Sequence, residues 1–304
     1  MLHSIAPSLR GWSAGKGGIG GVALVMLAAF FWGLSGGIGG YLTGQGWDPI
    51  VAAFFRGAVG LFFAVAWLLA RPDGSGLRSI RLWFFSALAG LGVAGNFTFY
   101  YLSIAEGSVA VAATLMYSAP VFVYLVSLVF GFETLSGLKV GAIGLVLLGM
   151  ILLTGAYDLS AIQVTPLAVA AGLTAGVSYA VFILGFKSAA PRGSPQAILV
   201  IAFGVVSVVL LTVSSTDAVA RVFTAPIWPL FVALGVFGAG LSFMFYIVGL
   251  RQISPVIASM IAMVEPVTAA AFSVVFLHEA LAALQILGMV LILLTVTAMA
   301  TSFK

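Results

Sequence analysis

Glu265 is the one acid near the middle of a long apolar run, and Pro266 stands beside it. A carboxylate there can meet a substrate ammonium, exchange a proton or hold a structural hydrogen bond, and its charge is costly unless it faces water or a partner. Pro266 has no N–H to donate, so the run is expected to bend beside it. Other polar groups within apolar runs are Asn96, Tyr100, Tyr117, Ser118, Ser178, Tyr179, Ser242 and Tyr246, and Trp32 lies in Phe31-Trp32-Gly33. Asn96 and Tyr100 are four residues apart, as are Ser242 and Tyr246, so each pair shares a helix face. A lone Tyr or Ser in such a run usually bonds to a neighbouring helix. As a set these residues predict a substrate-binding cavity with aromatic walls.

Other motifs have simpler readings. Gly90-Leu-Gly92-Val-Ala-Gly95 fits a dinucleotide-binding pattern, but that pattern needs a preceding strand and a helix N-terminus facing phosphate. Inside an apolar run its glycines suit close helix packing. Gly33-Leu-Ser35-Gly36 resembles the serine motif of intramembrane proteases, yet the only base on offer is His278, at the far end of another run. The spacings Gly33/Gly37, Gly36/Gly40 and Gly40/Gly44 favour packing there too. With no cysteine and only His3 and His278, no catalytic residue, metal site or cofactor is expected. Glu133 and Glu279 precede apolar runs, where a carboxylate offsets a positive helix end. Arg56 lies near the start of its run and is expected to snorkel to the headgroups.

The elements that position these groups follow from composition. Hydrophobic residues make up 62% of the 304 residues and charged ones 7%, with mean hydropathy +1.25. A soluble domain carries about 25% charged residues, so lipid must be the solvent along much of this chain. A net charge of +4 comes from basic residues scattered singly between apolar runs, which argues against nucleic acid. Runs long enough to cross a bilayer fall at about 20–42, 50–70, 81–104, 108–131 and 136–154, then 166–187, 195–213, 226–249, 255–277 and 281–302. They lack the alternation of barrel strands, so helices are predicted. With the N-terminus inside, the cytoplasmic segments hold Arg10, Lys16, Arg71, Arg78, Arg81, Lys139, Lys187, Arg192, Arg251 and Lys304, and the external loops only Arg221. That bias puts both termini in the cytoplasm.

The halves repeat. At an offset of 146 residues (243 minus 97), Phe97, Phe99 and Tyr100 meet Phe243, Phe245 and Tyr246, and Ser108, Pro120 and Glu133 meet Ser254, Pro266 and Glu279. Five spans per copy is odd, so the second copy is inverted, an arrangement common in secondary transporters. The expected organisation is one all-α membrane domain of ten transmembrane helices. It comprises a cytoplasmic segment 1–19, a first five-helix repeat 20–154, a connector 155–165 and a second repeat 166–304.

Ten helices, Phe31-Trp32-Gly33 in the first, the spacings Pro120/Glu133 and Pro266/Glu279, and Glu265-Pro266 resemble the drug/metabolite transporter superfamily, EamA type, and within it the YddG-type amino-acid exporters. The resemblance implies that spans 1, 3, 4, 6, 8 and 9 line the cavity while 5 and 10 lie outside. The expected function is export of amino acids, aromatic ones included, by alternating access. Multidrug efflux and sugar-phosphate or nucleotide-sugar transport are the alternatives, with an intramembrane enzyme remote. Phosphate substrates would need several buried cations, and Arg56 is the one candidate. Expected partners are a small-molecule substrate and the lipid bilayer of a bacterial-type inner membrane. Proton coupling stays open, as does monomer against weak homodimer.

Overall fold

The computed structural model describes residues 18–158 and 165–301. The leading segment with His3, Arg10 and Lys16, the middle of the connector and Lys304 lie outside the described residues. Within them, ten helices are long and apolar enough to cross a membrane: Ile19–Gly44, Pro49–Ala70, Ile80–Ala105, Val109–Val129 and Gly137–Thr154, then Pro166–Ala189, Pro195–Val213, Trp228–Leu250, Pro255–Phe276 and Ala283–Thr301. These are spans 1 to 10, and the chain is a multi-pass membrane protein. Large apolar side chains such as Phe62, Leu125, Leu145, Leu148 and Leu294 point outward, as lipid contact requires.

Local sequence sets the helix starts. Asp48-Pro49, Thr165-Pro166, Ser194-Pro195 and Ser254-Pro255 each place a capping oxygen before a proline. The cap accepts a bond from an orphan N–H, and proline has no N–H to leave unsatisfied there. Spans 4 and 9 are both broken near their middles. Span 4 divides into Val109–Met116 and Ala119–Val129, and span 9 into Pro255–Ile261 and Val264–Phe276. Pro120 and Pro266 fall in the first turn of each second piece, where proline is tolerated. The expected bend therefore appears as a break just before Glu265. Span 8 carries a π-helical turn, Val236–Leu241, which shifts hydrogen bonds and leaves carbonyls open to side chains.

Packing obeys a pseudo-two-fold. Span 1 packs along span 8 as span 6 does along span 3, and span 9 lies on span 1 as span 4 does on span 6. Spans 2 and 7 pack together, as do spans 5 and 10, each pair being related to itself. Gly149 and Gly288 let spans 5 and 10 touch backbone to backbone, away from the centre. The face where span 1 begins is called the near face below, and the face where it ends is the far face.

One element was not anticipated. Residues 214–225, read as loop, contain a helix, Thr216–Thr224, with Asp217 in its first turn and Arg221 in its last. That charge order suits the helix dipole. Ala218 and Val222, one turn apart, are buried in a cluster with Phe55 and Phe231, so a short amphipathic helix caps the far face. Glu133 pairs with Lys139 across the turn into span 5.

Candidate functional site

Between the repeats lies a cavity of about 880 Å³. Its wall runs from Gly33, Ser35, Gly36 and Thr43 in span 1, across Asp48 at the cap of span 2 and Ala53 and Arg56 within it, to Asn96, Tyr100, Tyr101 and Ala105 in span 3. Val109, Met116 and Tyr117 of span 4 continue it, and Glu265 and Ala269 of span 9 close it. Thr43, Asp48, Ala105 and Val109 are the far-face ends of their helices, so the cavity reaches that face. Span 2 contributes a wall, whereas span 6 stands behind it. That corrects the expected lining. Gly172 and Gly176 let span 6 pack closely on Leu115 of span 4, and no residue of span 6 is among those lining this cavity.

Two charged groups sit at membrane depth in the wall. Glu265 lies ten residues into span 9, roughly 15 Å from the near face at about 1.5 Å per residue. The Tyr179 hydroxyl donates to its Oε2 at 3.4 Å, and Tyr117 lies in the same wall. The break in span 9 makes room for this. Any Cβ on Gly33 would strike the backbone of Glu265 and meet Thr268 Cβ at 2.5 Å, so span 1 approaches closely only because residue 33 has no side chain. Arg56 does not snorkel. Its Nε donates to Gly238 O, in the π turn, at 2.9 Å, and its guanidinium lies 4.9 Å from the Phe97 ring centroid. Gly238 is required here, because a Cβ would meet Arg56 Nε at 2.5 Å and Ser35 Oγ at 2.6 Å.

Toward the near face the centre is closed by an aromatic plug. The Trp32 ring lies 4.9 Å from Tyr246 and 5.0 Å from Phe243, and Phe203 packs on Phe243 at 5.1 Å. Trp32 Nε1, Ser242 Oγ and Tyr246 Oη are buried there without a hydrogen-bond partner among the described residues. Beneath the plug, Lys187 Nζ donates to Leu250 O and Ile253 O, both at 2.7 Å, and ties the end of span 6 to the turn between spans 8 and 9. Arg251 donates to Gly193 O, and Gln196 Nε2 to Arg71 O at 2.7 Å, so three near-face turns are joined. Burial lowers the pKa of the Arg251 guanidinium from its ordinary value.

Of the residues expected to form the site, Asn96, Tyr100, Tyr117 and Glu265 lie in the wall. Asn96 also holds span 6 through Ala175 O at 3.1 Å. Tyr179 reaches the site through Glu265. Trp32, Ser242 and Tyr246 belong to the plug. Ser118 is turned back to Leu115 O, and Ser178 faces Gly95. Ser35 bonds to Trp32 O at 2.8 Å, and His278, the histidine among the described residues, is exposed beyond span 9. The glycines at 90 and 92 pack on spans 7 and 6. Arg56 was readable as a second intramembrane charge, but its role depends on the π turn of a distant span, which no local pattern announces.

The sequence model of the EamA-like transporter family matches twice, at residues 19–155 and 166–301. A relative from Archaeoglobus fulgidus, described as an uncharacterized transporter, is 29% identical over 280 residues, 90% of this chain and 93% of its own. One solved crystal structure aligns at a TM-score of 0.73 with 18% identity, covering 93% of this chain and 96% of the other. At that identity the likeness speaks for the fold.

Proposed function

As this chain belongs to the EamA-like transporter family, we propose that it is a secondary transporter that exports amino acids, aromatic and apolar ones included, across a bacterial-type inner membrane. The observation that carries the reading is Glu265, a carboxylate at membrane depth in the wall of an aromatic-lined cavity, where it accepts a hydrogen bond from Tyr179 and shares the wall with Tyr117. A substrate ammonium can meet the carboxylate, while Tyr100, Tyr101 and Phe97 offer apolar surface to the side chain. The positive-inside distribution of Lys and Arg assigns the near face to the cytoplasm, so the cavity opens outward. Transport then requires opening the plug and closing the far face, with the repeats exchanging roles about the midplane. The chemistry is binding and release, without catalysis.

Lipophilic cations are the second reading, favoured by the same carboxylate and aromatic wall. Counterflow in proteoliposomes separates the two. Vesicles loaded with unlabelled phenylalanine or leucine are expected to accumulate the labelled amino acid transiently. Accumulation of a lipophilic cation with no movement of any amino acid in the panel would overturn the amino-acid reading.

A further inference from the structure

Arg56 and Glu265 line one cavity without touching each other; the ion pair found among the described residues is Lys139–Glu133. We propose that they are the two poles of a binding site for zwitterionic α-amino acids, with Arg56 anchoring the carboxylate and Glu265 the ammonium. The proposal rests on the amino-acid reading above and narrows it.

Three observations support it. First, Arg56 is the one Lys or Arg in the cavity wall, and it is pre-oriented. Nε is committed to Gly238 O and the guanidinium plane is set against Phe97, which leaves the Nη1/Nη2 fork without a partner among the described residues and available to the cavity. That fork matches a carboxylate with two parallel bonds, a geometry that lysine cannot supply. Second, neither charge is duplicated. The offset of 146 residues takes Arg56 to Ala202 and Glu265 to Ala119, so a symmetric scaffold carries a single polarised site. Third, the charges cancel. A net-neutral zwitterion leaves the cavity neutral, whereas an amine or an acid alone leaves one pole unmatched at membrane depth, which is costly. Asp48, also in the wall, stands at the far-face rim and has one oxygen committed to Ile50 N at 2.8 Å.

The test compares phenylalanine with three relatives that each lack one pole: its amide, phenethylamine and 3-phenylpropionate. Competition for phenylalanine counterflow by the intact protein is expected to be roughly tenfold or more weaker for each, the size of one lost charged hydrogen-bonding group. In Arg56→Met, the preference for phenylalanine over its amide is expected to collapse toward unity. Arg56→Lys should keep the order of preference with a higher KM. Equal competition by phenylalanine and its amide in the wild-type protein would overturn the proposal while leaving amino-acid transport standing. So would a loss in Arg56→Met that is the same for all four compounds, because it would mark Arg56 as a support for the π turn only. If phenylalanine itself does not move, the underlying amino-acid reading falls and takes this one with it. The wild-type comparison needs no variant to fold.

Discussion

Residues 96 and 100 in the first repeat and 242 and 246 in the second occupy equivalent positions on equivalent helices, yet they meet opposite surroundings. Asn96 and Tyr100 face a cavity open to the far face. Ser242 and Tyr246 are fully buried in the plug, and their hydroxyls find no partner among the described residues. A buried polar group left unpaired costs about 1–3 kcal/mol, so the plug is a strained way to end the cavity. It makes sense if the same groups are wetted when the near face opens. One inverted pattern can thus be a lining in one half and a closure in the other, with the state of the molecule deciding which.

The comparison can be broken most forcefully at the charge it does not share. Glu265→Gln keeps the shape and removes charge and proton, and amino-acid affinity is expected to fall by roughly 10–100-fold, read by competition in proteoliposomes. If Glu265 also couples transport to protons, the same variant loses any response to a pH gradient while exchange down a substrate gradient persists. Unchanged affinity and unchanged pH response would reduce Glu265 to a partner for Tyr179.

The latch comes next. Lys187→Met removes two charge-assisted bonds that hold the near face shut. Labelling of a cysteine placed at 242 is expected to rise about tenfold from that face. No increase would show that the aromatic plug closes the near face unaided.

Glycines separate tight from open regions. Gly238→Ala, which would press on Arg56 and Ser35, is expected to cost about 1–3 kcal/mol of stability. Gly40→Ala meets nothing within 4 Å and should stay within about 0.5 kcal/mol of wild type. Thermal unfolding in detergent measures both, and equal losses would contradict the close approach at the π turn. The smallest effect is expected for Tyr246→Phe. Its hydroxyl has no partner in the closed plug, so stability should hold or rise slightly while exchange slows. A clear loss of stability would mean that the hydroxyl is already satisfied.

Much of this was legible in the sequence, because lipid leaves few options. Ten apolar runs and an offset that matches Phe97, Tyr100 and Pro120 to Phe243, Tyr246 and Pro266 define the ten spans and their inversion. What escaped depends on contacts between distant segments. Arg56 reads as a snorkelling residue until the π turn brings Gly238 O to it. Lys187 reads as a topology charge until the turn after span 8 is seen folded over it. The helix Thr216–Thr224 is too short and too polar for a span, and its apolar face has meaning only beside Phe55 and Phe231.

Reciprocal access to the cavity wall and the plug tests alternating closure most directly, and the chain has no cysteine to confuse the readout. Ala53→Cys in the cavity wall and Ser242→Cys in the plug can be labelled with an impermeant thiol reagent from each side of oriented vesicles. The account predicts that position 53 reacts only from the far face and position 242 only from the near face. It also predicts that any condition raising one rate lowers the other. Labelling of both positions from one side, or rates that rise and fall together, would contradict it.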